Sequence, residues 1–146
     1  MADTTSVTWI YPPHMEDGDW AEKSGNNRVV FQLSGISDGT GETDVTKVDL
    51  TDLKTPSGKV PAGTAIEYVE YVVNGITCKL EWDRAPHAEI ITIDGSNSPS
   101  SGRIDWSRFG GKVNVGDDGT GDILLTTTNA DNGDTYDITV CMRLKD

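Results

Sequence analysis

The chain has 146 residues, of which 24 are acidic and 12 are basic, and its formal net charge is −12. A negative field of this size repels nucleic-acid phosphates and anionic lipids, so we expect neither nucleic acid nor a membrane as partner. Its length and composition predict a single domain that can bury a core.

Residues 1–25 differ from the rest, and we predict that they form an extended N-terminal arm and loop. The segment "WIYPPHMEDGDWAEKSGNN" combines two prolines and two tryptophans with a polar tail. An aromatic arm of this kind either covers an edge of its own domain or docks on a neighbour. For the docking alternative, the candidate docking or oligomer contacts are Trp9, Tyr11 and Trp20. The first residues lack the features of a signal peptide, which favours synthesis in a cytoplasm.

Apolar and polar side chains alternate along most of the chain, which predicts β-strands and no long helix. The predicted strands are residues 6–10, 28–33, 65–73, 76–82, 89–93, 112–115, 122–128 and 135–144. Short strands with nothing helical between them predict an all-β fold for residues 26–146. The expected architecture is an antiparallel β-sandwich, jelly-roll or Ig-like, with an extended N-terminal arm.

Three connections carry more specific signals. Asn74 and Gly75 separate two strand-like runs, and such a pair favours a two-residue type I′ hairpin. The run before this pair is apolar on both faces, which predicts a central strand covered on two sides. Asp49 is a candidate cap for one helical turn in "VDLTDLK". The polar segment 95–102 is predicted to be a flexible loop.

The two cysteines fall on different faces of their predicted strands. Cys78 shares a face with Leu80 and Trp82, so we predict a buried core thiol. Cys141 lies opposite the apolar face of residues 135–144. We therefore expect no disulfide, and two cysteines alone do not make a zinc site.

The segment "GISDGTGE", residues 35–42, combines a G-x-S-x-G pattern with an acidic glycine-rich turn that recurs as "DGTGD". A nucleophile elbow needs a helix after the serine and a base within reach. The residues after Ser37 are strand-like, and neither His14 nor His87 is marked as a base. We therefore predict no catalytic residue and no enzyme activity, and interpret the segment as a solvent-facing turn.

Acidic clusters leave structural calcium as an alternative to the expectation of no cofactor and no metal. Calcium takes several oxygen ligands, but none of the clusters has the spacing of an EF-hand loop. The candidate ligands are Asp38, Glu42 and Asp44; Asp117, Asp118 and Asp122; and Asp131, Asn132 and Asp134.

Several short sequence segments follow one another in an order that resembles the sequences of small all-β structural proteins of tailed bacteriophages, particularly marine ones. They are "FQLSGISDGTGETDVTKVDLTDL", Asn74 and Gly75 followed by "KLEWD", "DWSRFGG" and "GTGDILLTTTNADNGDTYDITVCMRLK", and the match runs from about residue 29 to residue 144. The resemblance implies a virion structural protein, with a capsid decoration (cement) protein outside the major capsid lattice as the leading expectation. It implies the phage major capsid protein as partner and a homo-oligomer, with a trimer among the candidates, on the capsid surface.

A carbohydrate- or receptor-binding β-module of a phage tail or fibre is the alternative function. Glu81 and Asp83 flank Trp82, an arrangement similar to a carbohydrate site. A glycosidase would need two carboxyl groups at a set separation across a cleft, which the sequence does not show. The resemblance to phage proteins transfers no catalytic or binding residue.

Overall fold

The computed structural model describes residues 4–11, 28–53, 55, 59–84, 86–113 and 120–145. Within these ranges the chain forms ten β-strands and two single-turn 3-10 helices. None of the described residues forms a helix long and apolar enough to cross a membrane. The strands are β1 (Thr4–Tyr11), β2 (Arg28–Asp38), β3 (Val45–Val48), β4 (Gly63–Asn74), β5 (Thr77–Trp82), β6 (Ala88–Asp94), β7 (Ser100–Asp105), β8 (Lys112–Val113), β9 (Ile123–Thr128) and β10 (Asn132–Lys145).

The strands form two antiparallel sheets. The larger sheet has the order β1-β2-β10-β4-β7, with β8 paired to β4, and the smaller sheet has the order β3-β9-β5-β6. Apolar side chains from the inner faces of both sheets pack into one core, with Phe31, Leu33, Leu80, Leu125 and Ile138 fully buried. The predicted all-β antiparallel sandwich is therefore confirmed.

The hairpin predicted at Asn74 and Gly75 is wrong. β4 belongs to the larger sheet and β5 to the smaller one, so these two residues connect the sheets. Gly75 has a φ of +83°, but Asn74 is not among the residues with positive φ, whereas a type I′ turn needs both. The prediction that other parts of the protein cover both faces of β4 is also wrong, because Val72 is 58% exposed on the outer face.

Strands β3 and β7 fall outside the predicted set. β7 begins at Ser100, inside segment 95–102, so the prediction of a loop there is wrong for its last residues. Serine and glycine have little strand preference, and the backbone of β4 supplies the pairing instead. The helical turn is confirmed as the 3-10 helix Leu50–Asp52, in which Asp49 accepts the Thr51 amide.

A buried ion pair links the two sheets. The side chains of Glu42 and Lys47 are 8% and 5% exposed and in direct contact. Tyr136 on β10 donates its hydroxyl to Oε2 of Glu42 at 2.6 Å. Lys47 lies where the β3–β9 register shifts, and such a bulge can turn a side chain inward. The segment "GISDGTGE" is therefore only partly solvent-facing: Gly39 turns at the surface, whereas Glu42 is buried.

Gly35 makes room for the aromatic ring in this network. It pairs directly with Tyr136 across β2 and β10. A Cβ atom at Gly35 would lie 2.5 Å from Cε1 of Tyr136. The missing side chain therefore lets the ring lie across β2 and reach Glu42.

Candidate functional site: the outer face of the larger sheet

The outer face of the larger sheet collects side chains from five strands. Directly paired residues of neighbouring strands lie side by side on one face of a sheet, so the register arranges them in rows. The central row consists of Thr8, Gln32, Thr139, Glu70 and Arg103. The rows on either side consist of Ser6, Ser34, Asp137, Val72 and Ser101, and of Val30, Cys141, Tyr68 and Asp105.

Charged and amide side chains on this face pair with one another. Gln32 donates from Nε2 to the two carboxylate oxygens of Asp137 at 2.7 and 2.8 Å. Arg103 donates to Glu70 at 2.6 Å, and its Cζ lies 4.2 Å from the ring centroid of Tyr68. The side chains of Arg103 and Glu70 are about half exposed, at 50% and 47%. These polar groups are thus held in place and remain accessible to a ligand.

Two adjoining depressions cross the face. One, of about 440 Å³, is lined by Gln32 and Arg103. The other, of about 460 Å³, is lined by Ile36 at the β1 end of the sheet. Val72 and Asp137 line both, so the depressions form one open groove that runs from β1 to β7.

The surroundings of this face set the charge of its titratable groups. Burial raises the pKa of the Tyr68 phenol. Burial and the carboxylate of Glu67 raise the pKa of the Cys141 thiol to about 11. Hydrogen bonds from the side chain and amide of Ser107 hold the pKa of Asp105 below its ordinary value. The phenol and thiol are therefore neutral near pH 7, while Asp105 is charged.

The predicted docking residues take different positions. Trp9 packs against the core, with its ring centroid 5.2 Å from that of Phe31. Tyr11 is 40% exposed at the end of β1. Trp20 lies outside the described residues. Trp9 is thus partly buried and Tyr11 is exposed, and the docking role of the three residues stays a prediction.

The candidate nucleophile and several candidate calcium ligands serve local hydrogen bonds. Ser37 accepts a backbone amide of its own turn at 3.0 Å. Asp38 accepts from the amide and hydroxyl of Thr40, and Asp122 accepts a backbone amide near the 3-10 helix. Asp117 and Asp118 lie outside the described residues. Of the predicted calcium sets, Asp38, Glu42 and Asp44 are all described, and they do not come together as a group of metal ligands.

Both cysteines are free, and each lies on the predicted face of its own strand: Cys78 on the core face of β5 and Cys141 on the outer face of β10. Cys78 lies in the core between the sheets, where burial raises the pKa of its thiol to about 12. Cys141 lies on the outer face, with Sγ 3.8 Å from Oε1 of Glu67. Cys141 is itself only 6% exposed, so the polar side chains around it cover it well.

Sequence reasoning missed most of this face. Gln32 and Asp137 are 105 residues apart in the chain, and Glu70 and Arg103 are 33 apart. The alternation of side chains along each strand places these four residues on an outer face. Which of them are neighbours depends on the pairing register between strands, which the sequence does not give. Phe109, which is 82% exposed in the 3-10 helix Ser107–Phe109, was also missed, although an aromatic in the turn-like "DWSRFGG" was an available signal.

No protein-family model and no curated protein matches the chain. Among solved structures, the chain is similar to a Bacillus endospore appendage protein of disulfide-linked pili, at 9% identity and a TM-score of 0.36, covering 89% of this chain and 93% of that one. It is also similar to a family 29 carbohydrate-binding module, at 11% identity and a TM-score of 0.32, covering 98% of this chain and 89% of that one. At these values neither likeness bears on what this chain binds.

Proposed function

We propose that this chain is a non-enzymatic structural protein of a tailed bacteriophage particle, bound as a decoration protein to the outside of the capsid. The observation that carries the docking mode is the composition of β1. This strand lies at the edge of the larger sheet, and its sequence "TTSVTWIY" has no charged residue, although 25% of the chain is charged. Exposed edge strands usually carry charges that block pairing with other chains. β1 is therefore suited to receive a partner strand.

The edge strands β6 and β7 differ from β1 in this respect. β6 carries Glu89 and Asp94, and β7 carries Arg103 and Asp105, all of them exposed. A strand added at β1 would gain main-chain hydrogen bonds along eight residues. Ile10, which is 46% exposed, would add apolar contact at the end of that strand.

The sequence resemblance supports the identity of the particle, and the partner that we propose is the major capsid protein. The acidic surface fits this role, because mutual repulsion keeps crowded copies of a protein soluble. Copies bound in this way at neighbouring sites would lie side by side, which fits a homo-oligomer on the particle.

Introducing one positive charge into β1 tests the proposal. We expect Thr8→Lys to weaken binding to undecorated capsids by about tenfold or more, because a lysine on an edge strand opposes pairing and is costly to desolvate at an interface. Co-sedimentation with capsids, followed by quantitative mass spectrometry, gives the copy number bound.

Thr46→Lys is the matched control, because Thr46 is an exposed threonine on β3, an edge strand of the smaller sheet. It should bind like the original protein. Equal binding by Thr8→Lys would remove β1 from the interface. A copy number of only a few per particle would point to the tail instead of the capsid.

A second candidate function, binding of a neutral glycan in the outer-face groove, is favoured by the fixed polar pairs that line it. Hydroxyl-rich ligands need donors and acceptors held at defined positions, and Gln32, Asp137, Glu70 and Arg103 supply both. The groove has two of these carboxylates, Asp137 and Glu70, and one guanidinium group, Arg103. The excess of negative charge favours a neutral sugar over an acidic one.

Asp137→Ala tests the glycan alternative. We expect this variant to weaken binding to any glycan found on an array by about tenfold, because a hydrogen bond to a charged group contributes about 1.5–3 kcal/mol. Glu89→Ala, on the other sheet, is the control. If the purified protein binds no glycan, or if Asp137→Ala binds as well as the control, the groove is not a sugar site.

A further inference from the structure

Three segments of the chain place potential metal ligands together on the outside of the smaller sheet. Asp44 lies just before β3, Glu81 lies in β5, and His87 lies just before β6. Nδ1 of His87 is 3.5 Å from Oδ1 of Asp44 and 3.9 Å from Oε1 of Glu81. All three ligand atoms lie within 4.8 Å of one another.

These separations fit a shared metal ion better than they fit hydrogen bonds. At 3.5 and 3.9 Å, the contacts of His87 exceed the usual hydrogen-bond range of about 2.7–3.2 Å. A tetrahedral zinc ion with ligand bonds of about 2.1 Å would hold its ligand atoms about 3.4 Å apart. The two His87 contacts lie within about 0.5 Å of that separation, and all three ligand atoms lie within 4.8 Å of one another, so rotation of these side chains would bring them to a metal.

The carboxylate of Glu81 is an independent indication of a ligand. Its side chain is only 10% exposed, and it accepts no hydrogen bond from any residue that the structure describes. Oε2 has Lys79 Nζ at 3.7 Å, whereas Oε1 is directed toward His87. Buried carboxylates normally have close hydrogen-bond or cationic partners, because losing hydration is costly. Lys79 is the cationic partner of Oε2, and a cation between Glu81, Asp44 and His87 would supply a partner for Oε1.

The surrounding groups would hold the ligands in suitable orientations. Thr126 accepts the backbone amide of Asp44 at 2.9 Å and donates its hydroxyl to Oδ1 of Asp44 at 3.1 Å. Asp83 lies on the far side of His87, with Oδ1 3.8 Å from Nε2. A small side-chain rotation would let Asp83 accept a hydrogen bond from Nε2 of His87 while Nδ1 binds the metal, an arrangement common around metal-ligating histidines.

We propose that Asp44, Glu81 and His87 bind a divalent transition-metal ion of the zinc type, with water completing its coordination. The nitrogen ligand favours zinc over calcium, which takes oxygen ligands. The local charge also fits, since Asp44, Glu81 and Asp83 contribute three negative charges against the one positive charge of Lys79. The ion would tie the connection between β2 and β3 to β5 and to the start of β6.

The full-length chain, stripped of metal with a chelator, is titrated calorimetrically with zinc, cobalt and calcium ions. We expect one zinc ion per chain, weaker binding of calcium, and a rise in the thermal unfolding midpoint as zinc is added, since a ligand that binds the folded state stabilises it. Glu81→Gln and His87→Ala should each lower zinc affinity by about 100-fold or more, and Asp83→Asn by about 10- to 100-fold.

His14→Ala is the matched control, because the chain has two histidines and His14 is the other one. It should bind zinc like the original protein. The proposal is overturned if the original protein binds no zinc, if zinc affinity survives in both Glu81→Gln and His87→Ala, or if calcium binds as tightly as zinc. Circular dichroism confirms that each variant is folded before its affinity is compared.

Discussion

Replacing Glu42 with alanine is expected to lower the free energy of unfolding by about 3–5 kcal/mol, the usual cost of breaking a buried ion pair. The ammonium group of Lys47, 5% exposed, would lose its counter-ion, and the Tyr136 hydroxyl would lose this acceptor. Urea denaturation followed by tryptophan fluorescence measures the change, provided that the denaturant slope stays constant.

The exposed pair Arg103–Glu70 provides the matched control. Both side chains are about half exposed, so Glu70→Ala should cost no more than about 1 kcal/mol. Replacing Glu42 and Lys47 together by leucine and methionine should restore much of the lost stability, because apolar pairs of similar volume often replace buried ion pairs without loss. A cost for Glu42→Ala as small as that for Glu70→Ala would show that Lys47 reaches water.

Gly35→Ala is expected to cost about 1–3 kcal/mol, toward the upper end of the range for overpacked sites. The new methyl group would lie 2.5 Å from Cε1 of Tyr136. The ring has little freedom to move aside, because its residue is 4% exposed and its hydroxyl is bonded to Glu42 at 2.6 Å. Thermal and urea unfolding of the variant measure the effect.

Gly63→Ala is the control for this substitution. Gly63 also lies in the larger sheet, but a Cβ atom added there would meet no atom within 4 Å, and its φ is not positive. It should change the stability by no more than about 1 kcal/mol. In the background of Tyr136→Ala, Gly35→Ala should cost less than it does alone, since the two residues are in contact. Additive effects would contradict the steric explanation.

The alternation of apolar and polar residues was sufficient to predict the fold class, but local turn signals were not sufficient to predict the pairing. Asn74 and Gly75 have a high preference for hairpin turns. However, β4 belongs to the larger sheet and β5 to the smaller one, so the two strands do not pair. β7 has a weak strand composition and depends on β4 for its hydrogen bonds. Both errors arise where contacts distant in sequence override local preference.

The candidate sites were harder to predict, because each depends on residues from distant strands. The acidic character of Glu42 indicated a surface turn. In the structure it has two partners inside the sandwich: the bulge in β3 turns Lys47 inward, and the missing side chain of Gly35 lets Tyr136 reach it. Likewise, Glu81 and His87 were individually visible in the sequence. Asp44 joins them only because β9 lies between β3 and β5 and places Thr126 beside it.

The position of β10 has a consequence for the order in which the molecule can fold. β10 follows every other described strand in the chain, yet it lies in the middle of the larger sheet and pairs with both β2 and β4. During synthesis, β2 and β4 therefore each have one edge without a paired strand until β10 has left the ribosome. Such edges attract strands of other chains. Newly made copies are thus most vulnerable to aggregation just before β10 is inserted.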